Sequence, residues 1–267
     1  MRQDAQKIED GRLQGIDLGN YPWYNERHRI FPQILSLSGA RYARILDVAA
    51  GVGIVGKRIK EGYPCTMVCN DIASESLRNL KANGLTAVSF DLDSASMAFP
   101  FPDATFDAVI SLATLEHIIE LDNHINEIRR VLKKNGHLYL STPNYSAIHF
   151  MVPFVLGGRT FHDPIKGGLN KYEFYAHVRY FTYKSLVEFM RSFGFSPDIA
   201  YIPLPKESSK YRKLKKKSPL VAFGFRSTML MLYLLLPPRW AFHPVIRFTR
   251  SDADPGSLSK WPKKVIV

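Results

Sequence analysis

A run of small residues joins an apolar stretch to a helical one: Arg44-Ile-Leu-Asp47-Val-Ala49-Ala-Gly51-Val-Gly53-Ile-Val-Gly56. Glycines at a strand-to-helix turn let the backbone approach a ligand closely and aim helix N–H groups at its polar atoms. Asp71 closes the next apolar stretch, 20 residues after Gly51, and a carboxylate there can accept both hydroxyls of a ribose. Read literally, the three glycines with Asp71 are a dinucleotide fingerprint, so an NAD(P)-dependent oxidoreductase stands as an alternative. Asp47 argues against it. A carboxylate at the end of the first strand repels a pyrophosphate, whereas it attracts the ammonium and sulfonium of S-adenosylmethionine (SAM), directly or through water. SAM is the expected cofactor.

The elements that must position these groups are legible from periodicity. Short apolar runs at Ile45–Val48, Thr66–Asn70, Ala87–Phe90, Ala108–Ser111 and His137–Ser141 read as strands. Helical patterns fall between them at Gly53–Glu61, Ser74–Ala82 and Asn123–Leu132, the last with Gly136 as its stop. The alternation predicts an α/β fold, a doubly wound and mostly parallel sheet. Residues 143–180, rich in Pro, Gly and aromatics, interrupt it as a lid or substrate insertion. A helix after Thr182, stopped by Gly194, and strands at Asp198–Ile202 and Lys263–Val267 follow, with residues 206–260 expected as an insertion between those last two strands.

From Arg41 to Asn144 the chain resembles the class I SAM-dependent methyltransferases, most closely the small-molecule branch that includes the ubiquinone-biosynthesis O-methyltransferases. Asp47-Val-Ala49-Ala-Gly51-Val-Gly53 matches the family's acid-x-Gly-x-Gly-x-Gly motif, with Ala49 replacing the first glycine. The methyl of Ala49 is tolerable if the backbone there keeps a negative φ. The resemblance implies a seven-stranded Rossmann-like sheet, with Asp71 on the ribose, Ile72 against adenine, Asp91 on the adenine amino group and the Leu92 N–H at the ring. Asp93 competes with Asp91 for that role. Ser111 falls beside the methionine portion of the cofactor, and Asp107 reads as a structural turn residue.

Methyl transfer is an in-line displacement that needs alignment and a deprotonated acceptor. His117, in Leu115-Glu116-His117, can take a hydroxyl proton near neutral pH, and Glu116 is the second catalytic candidate. Tyr145, His149, His162 and the run from His177 to Thr182 are further candidates for the acceptor side, and no metal is expected. Residues 1–40 are expected to supply lid helices, with Tyr21-Pro-Trp23-Tyr24 and Arg27-His28-Arg29 forming part of a cofactor lid. Residues 41–205 form the SAM-binding core and 206–267 a C-terminal segment.

The chain has 267 residues with 46% apolar and 22% charged, enough for one large folded unit. Its net charge of +12 is concentrated at one end: residues 206–267 hold 14 Lys and Arg against 3 acids, and the rest 22 against 21. A basic stretch, Lys206 to Lys217, runs into an apolar one, Leu220 to Leu236, that contains Arg226. That combination suits a helix lying on an anionic membrane surface better than a spanning one, and a buried or dimer helix is the plain alternative. Ser111-Leu-Ala-Thr-Leu-Glu116 lacks the Asn/Asp-Pro-Pro-aromatic sequence that holds a flipped base, which argues against DNA and leaves RNA open. The two cysteines and an N-terminus without an apolar core point to a cytoplasmic setting, peripheral to the inner face of the membrane at most. The expected acceptor is a small-molecule, lipid-linked or glycan hydroxyl, with a nonenzymatic SAM-fold binding module as the other class of function.

Overall fold

A computed structural model describes residues 2–18, 21, 23–159, 174, 176–253 and 260–267, without the side chains of residues 2–5. Three helices, α1 (Arg2–Leu13), α2 (Glu26–Arg29) and α3 (Gln33–Ser36), precede the sheet. The chain then alternates through β1 (Arg44–Val48), α4 (Ile54–Gly62), β2 (Thr66–Asn70), α5 (Ser74–Ala82), β3 (Thr86–Val88), β4 (Phe106–Leu112), α6 (Leu121–Val131) and β5 (Leu132–Ser141). Strands β1 to β5 pair in parallel in the order β3-β2-β1-β4-β5. Successive strand residues feed opposite faces: Ile45, Met67, Cys69, Ala108 and Ile110 join the core under α4, while Leu46, Val68, Val109 and Leu138 join the one under α6. Each Ile, Leu, Val or Met among them contributes about 1.5–3 kcal/mol on full burial.

After α7 (Ile148–Gly157) the next helix whose bounds are described is α8 (Tyr183–Ser192). Thr182 caps α8, its hydroxyl accepting from Ser185 N–H at 3.1 Å, and Leu186 and Met190 are buried on its inner face. Strand β6 (Phe195–Ile202) follows, then the basic α9 (Ser209–Lys217), the apolar α10 (Pro219–Leu235), β7 (Val245–Arg250) and β8 (Lys263–Ile266).

Among the described residues the sheet has eight strands, ordered β3-β2-β1-β4-β5-β7-β6-β8, one more than expected. The added strand is β7, which lies antiparallel between β5 and β6 with Ile246 opposite Leu140 and Ala200. The excursion between sheet strands therefore ends at β7 rather than running to residue 260. The terminal segment does pair with the sheet, as a parallel edge strand with Val265 opposite Tyr201. Gly136 is not the stop of α6. That helix ends when Leu132 turns extended, and Gly136 lies within β5, where a Cβ would stand 2.8 Å from the Lys133 carbonyl.

Candidate active site

The carboxyl ends of β1, β2, β4 and β5 lie along one edge, where open α/β sheets bind ligands. The turn after β1 places Gly51 at φ +57° and Gly53 at φ +82°, the latter as the N-cap of α4. Gly51 N–H donates to Asp71 Oδ2 at 2.8 Å and Ala73 N–H to Asp71 Oδ1 at 2.9 Å, so the acid at the end of β2 holds the glycine turn in shape. Burial still pushes the Asp71 carboxyl up to about 6 despite those two donors. Ala49 sits at φ +52°, so the condition under which its methyl would be tolerated without strain is not met. At this positive φ, which favours glycine, the alanine carries a strain of roughly 1 kcal/mol or more.

Asp47 is 3% exposed, and its Oδ2 has no hydrogen-bond partner. Burial, and then the charge of Asp71, pushes its carboxyl up to about 8. Ser111 at the end of β4 and Ser141 at the end of β5 also bury hydroxyl oxygens that lack partners. Buried polar atoms are ordinarily paired, so orphans at three neighbouring strand ends fit a polar ligand that supplies their partners. The ammonium of SAM would supply such a partner to Asp47 and favour its ionised form, and in this respect the residues present fit SAM.

Of the adenine-side candidates, Asp93 is committed elsewhere: its Oδ1 accepts from Ile119 N–H and Glu120 N–H at 2.9 and 2.7 Å. Asp91 uses one oxygen on Asp93 N–H, and the other has no hydrogen bond among the described residues. Ile72 is half-buried and belongs to neither core cluster, whereas Leu92 packs against the core. Asp107 accepts from Ala43 N–H, Arg44 N–H and Lys133 Nζ, a structural clamp.

The turn is covered from the front. A side chain at Gly51 would meet the Tyr21 hydroxyl at 3.2 Å, and Trp23 packs edge-on against Tyr21 with the Arg12 guanidinium over its ring. Asp10 of α1 accepts from Ser74 N–H and Oγ, docking α1 on α5. The second half of the same segment does something else. Glu26 accepts from the N–H groups of Lys206, Glu207 and Ser208 and pairs with Arg29, while the Tyr24 hydroxyl donates to Glu207. Among the described residues of the expected lid, Tyr21 therefore meets the glycine turn, with Trp23 packed behind it.

At the other end of the edge, a single 3-10 turn, Leu115–His117, follows β4. Glu116 is 1% exposed, and its Oε2 accepts from the Thr142 hydroxyl at 2.8 Å. Its carbonyl accepts from Val178 N–H and Arg179 N–H, which brings the His177–Thr182 run onto the turn. His117 Nδ1 lies 3.0 Å from the Ala176 carbonyl, and its ring meets that of His177 edge-on with centroids 4.8 Å apart. His177 Nδ1 lies 3.0 Å from the Tyr145 hydroxyl. His149 packs on Phe242, and burial followed by the charge of Arg27 drives His243 far below the usual imidazole range. His162 lies outside the described residues. His243 and Arg27, 3.3 Å apart, were not singled out as a pair, since nothing in their spacing of 216 residues signals it.

An eight-stranded doubly wound sheet, a glycine turn held by an acid and orphaned polar atoms at the strand ends together make an edge that fits a nucleoside cofactor. Residues 46–140 match the family model described as a methyltransferase domain. A SAM-dependent methyltransferase from Thermotoga maritima superposes over 85% of this chain and 91% of its own, at 14% identity and a TM-score of 0.55. A solved cyclase shares the fold equally, with 16% identity, 95% and 98% coverage and a TM-score of 0.55. Among curated proteins, malonyl-acyl-carrier-protein O-methyltransferase of Geobacter sulfurreducens is 35% identical over 40% of this chain and 42% of its own. Demethylmenaquinone methyltransferase of Thermus thermophilus is 36% identical over 36% and 44%. Ubiquinone biosynthesis O-methyltransferase of Xylella fastidiosa is 28% identical over 45% and 49%. The chain thus spans less than half the length of these relatives.

Proposed function

We propose that the chain transfers the methyl of SAM to a hydroxyl of an amphiphilic acceptor, a lipid-linked or glycan compound, at an anionic membrane surface. SAM supplies an electrophilic methyl on a sulfonium. Asp71 holds its ribose, Asp91, Ile72 and the Leu92 N–H its adenine, and Asp47, Ser111 and the turn of Ala49, Gly51 and Gly53 its amino-acid portion. Glu116 and His117 face the acceptor and prepare its hydroxyl.

The observation that carries the acceptor class is the α9–α10 excursion. Leu220, Phe223, Met231 and Leu235 are 58–79% exposed on α10, and only Ala222 of that helix is buried, so it is not a core helix of this chain. Both ends are nevertheless fixed. Glu26 binds the three N–H groups before α9, and Lys264 Nζ caps the carbonyls of Tyr233, Leu234 and Leu236. A rigid, exposed apolar helix preceded by the basic α9 suits the interface of an anionic bilayer, and among the described residues no helix is long and apolar enough to cross one. The acceptor end adjoins it: Asn144 Nδ2 donates to the Arg239 and Ala241 carbonyls, and Phe150 of α7 stacks near Phe242. The relatives named for menaquinone and ubiquinone biosynthesis support a lipidic acceptor.

The test is to incubate the protein with methyl-labelled SAM and cell extract, then partition the label. The expected outcome is label in organic-soluble or glycolipid material, lost with Asp71→Ala. Label in RNA or protein would overturn the acceptor class, and no transfer to any fraction would favour a binding module.

A further inference from the structure

We propose that Arg27, His28 and His243 form a subsite for an oxyanion, a phosphate or a carboxylate, carried by the acceptor. That the anion belongs to the acceptor rests on the methyl-transfer reading above, whereas its binding does not.

Arg27 is 7% exposed, and its Nη1 lies 3.3 Å from His243 Nδ1. A guanidinium only donates, so Nδ1 accepts and the single proton of the neutral His243 ring stands on Nε2. His28 reaches the same state by another route. Asn25 N–H donates to its Nδ1 at 3.1 Å, and Tyr24 stacks on its ring with centroids 5.8 Å apart. Burial, and then the charge of Arg27, keeps both imidazoles neutral, pushing His28 down to about 3 and His243 far below the usual range. Neither Nε2–H donor has a hydrogen-bond partner among the described residues, and both residues are half-buried rather than enclosed.

A second, independent observation concerns charge. After burial, the largest influences on His243 are Arg27, His28, His149 and His177, with no carboxylate among them. Lys210 of α9 acts in the same sense on His149. A guanidinium matches the oxygens of a phosphate or a carboxylate, and the two neutral rings add N–H donors without adding charge. A fixed cation between two unused donors is therefore a recognition group for oxygen anions.

The neighbours of His243 place this subsite. Phe242, the residue before it, has a carbonyl that accepts from Asn144 N–H just beyond β5 and a ring that packs on His149. His177, which acts on His243 from the other side, meets His117 edge-on. The subsite thus borders the acceptor end rather than the glycine turn. An anion held there orients the acceptor and takes no part in removing its proton. The acceptor class is then a hydroxyl compound that carries a phosphate or a carboxylate, and a neutral analogue is discriminated against because it leaves the buried cation and both donors unmatched.

The experiment is titration of the full-length protein with n-butyl phosphate, with butyrate and with butanol, followed in proton–nitrogen correlation spectra of the histidine rings. These chains are too short to depend on the exposed face of α10. The expected result is saturable binding of at least one anion and not of butanol, with the Nε2 signals of His28 and His243 shifting together. Binding should be at least about 10-fold weaker in Arg27→Gln and partly restored in Arg27→Lys. Tighter binding of n-butyl phosphate assigns a phosphate, and tighter binding of butyrate a carboxylate. A cooperative unfolding transition in Arg27→Gln verifies that the variant is folded. No anion binding by the wild-type protein, equal binding of butanol, or equal binding by wild type and a folded Arg27→Gln overturns the proposal. Anion binding without methyl transfer would leave this subsite standing and remove the proposed function instead.

Discussion

The two ends of the functional edge are built in different ways. The glycine turn and its acid, the heart of the cofactor end, come from one contiguous stretch, residues 44–72, in which strand, turn, helix and strand each follow from their neighbours, with Asp91, Leu92 and Ser111 added from later segments. The acceptor end gathers Glu116, Thr142, Tyr145 and His177 from three segments, and the surface beside it depends on Glu26 and Lys264 at nearly opposite ends of the chain. A local site is fixed by backbone geometry, whereas an assembled one is fixed by side-chain clamps. Perturbations of the first should appear as lost affinity, and perturbations of the second as lost order or altered partners.

The largest effect is expected at Asp71. Asp71→Ala removes the proposed ribose acceptor and frees Gly51 N–H and Ala73 N–H, and S-adenosylhomocysteine affinity should fall by about 100-fold in a calorimetric titration. Retention within threefold would show that the turn does not depend on its acid. On the assembled side, reversing Lys215 and Lys216 to Glu should weaken binding to phosphatidylserine vesicles by at least ~30-fold, at about 1 kcal/mol for each lysine lost. Cofactor affinity should not change. Equal vesicle binding would remove α9 from the membrane account.

Glu26 tests the clamp. Burial alone would raise its carboxyl, but the N–H donors of Ser208 and Lys206 and the Arg29 guanidinium together hold it below the usual carboxylate range. Because the folded pKa is depressed, the clamp contributes above the unfolded pKa and is lost as pH falls through the folded value. Glu26→Ala should therefore accelerate proteolysis near residues 206–218 at pH 7 more than at pH 3, with cofactor affinity intact.

Asp47 shows the opposite sign. Its folded pKa is raised to about 8, so the unfolded chain ionises first and apo stability declines as pH rises from about 4 to about 8. Asp47→Asn should raise the apo Tm at pH 8 more than at pH 5, while S-adenosylhomocysteine binds less tightly. The smallest effect is expected at Ala49: Ala49→Gly relieves the positive φ and should add roughly 1 kcal/mol, or 2–4 °C in Tm.

The same contrast decides what the sequence makes legible. The glycine turn, Asp71 and strands β1 to β5 are read from spacing because the parts are neighbours, and Thr182 and Gly194 punctuate α8 locally. Strand β7 was missed although Ile246 and Phe248 alternate with Arg247 and Thr249, because six residues after Pro244 read as part of the basic tail. The positive φ of Ala49 is a property of the turn as a whole and has no signature in an alanine. His177 was visible as a candidate, but its meeting with Glu116 and His117 depends on backbone bonds from Val178 and Arg179 that no periodicity encodes.

The most direct test of the central claim, that the first stretch is a SAM site, is thermal unfolding of the wild-type and Asp71→Ala proteins with S-adenosylhomocysteine and, separately, with NADH. The account predicts that S-adenosylhomocysteine raises the wild-type Tm, that the rise disappears in Asp71→Ala, and that NADH has no effect on either. Stabilisation by NADH and none by S-adenosylhomocysteine would contradict it.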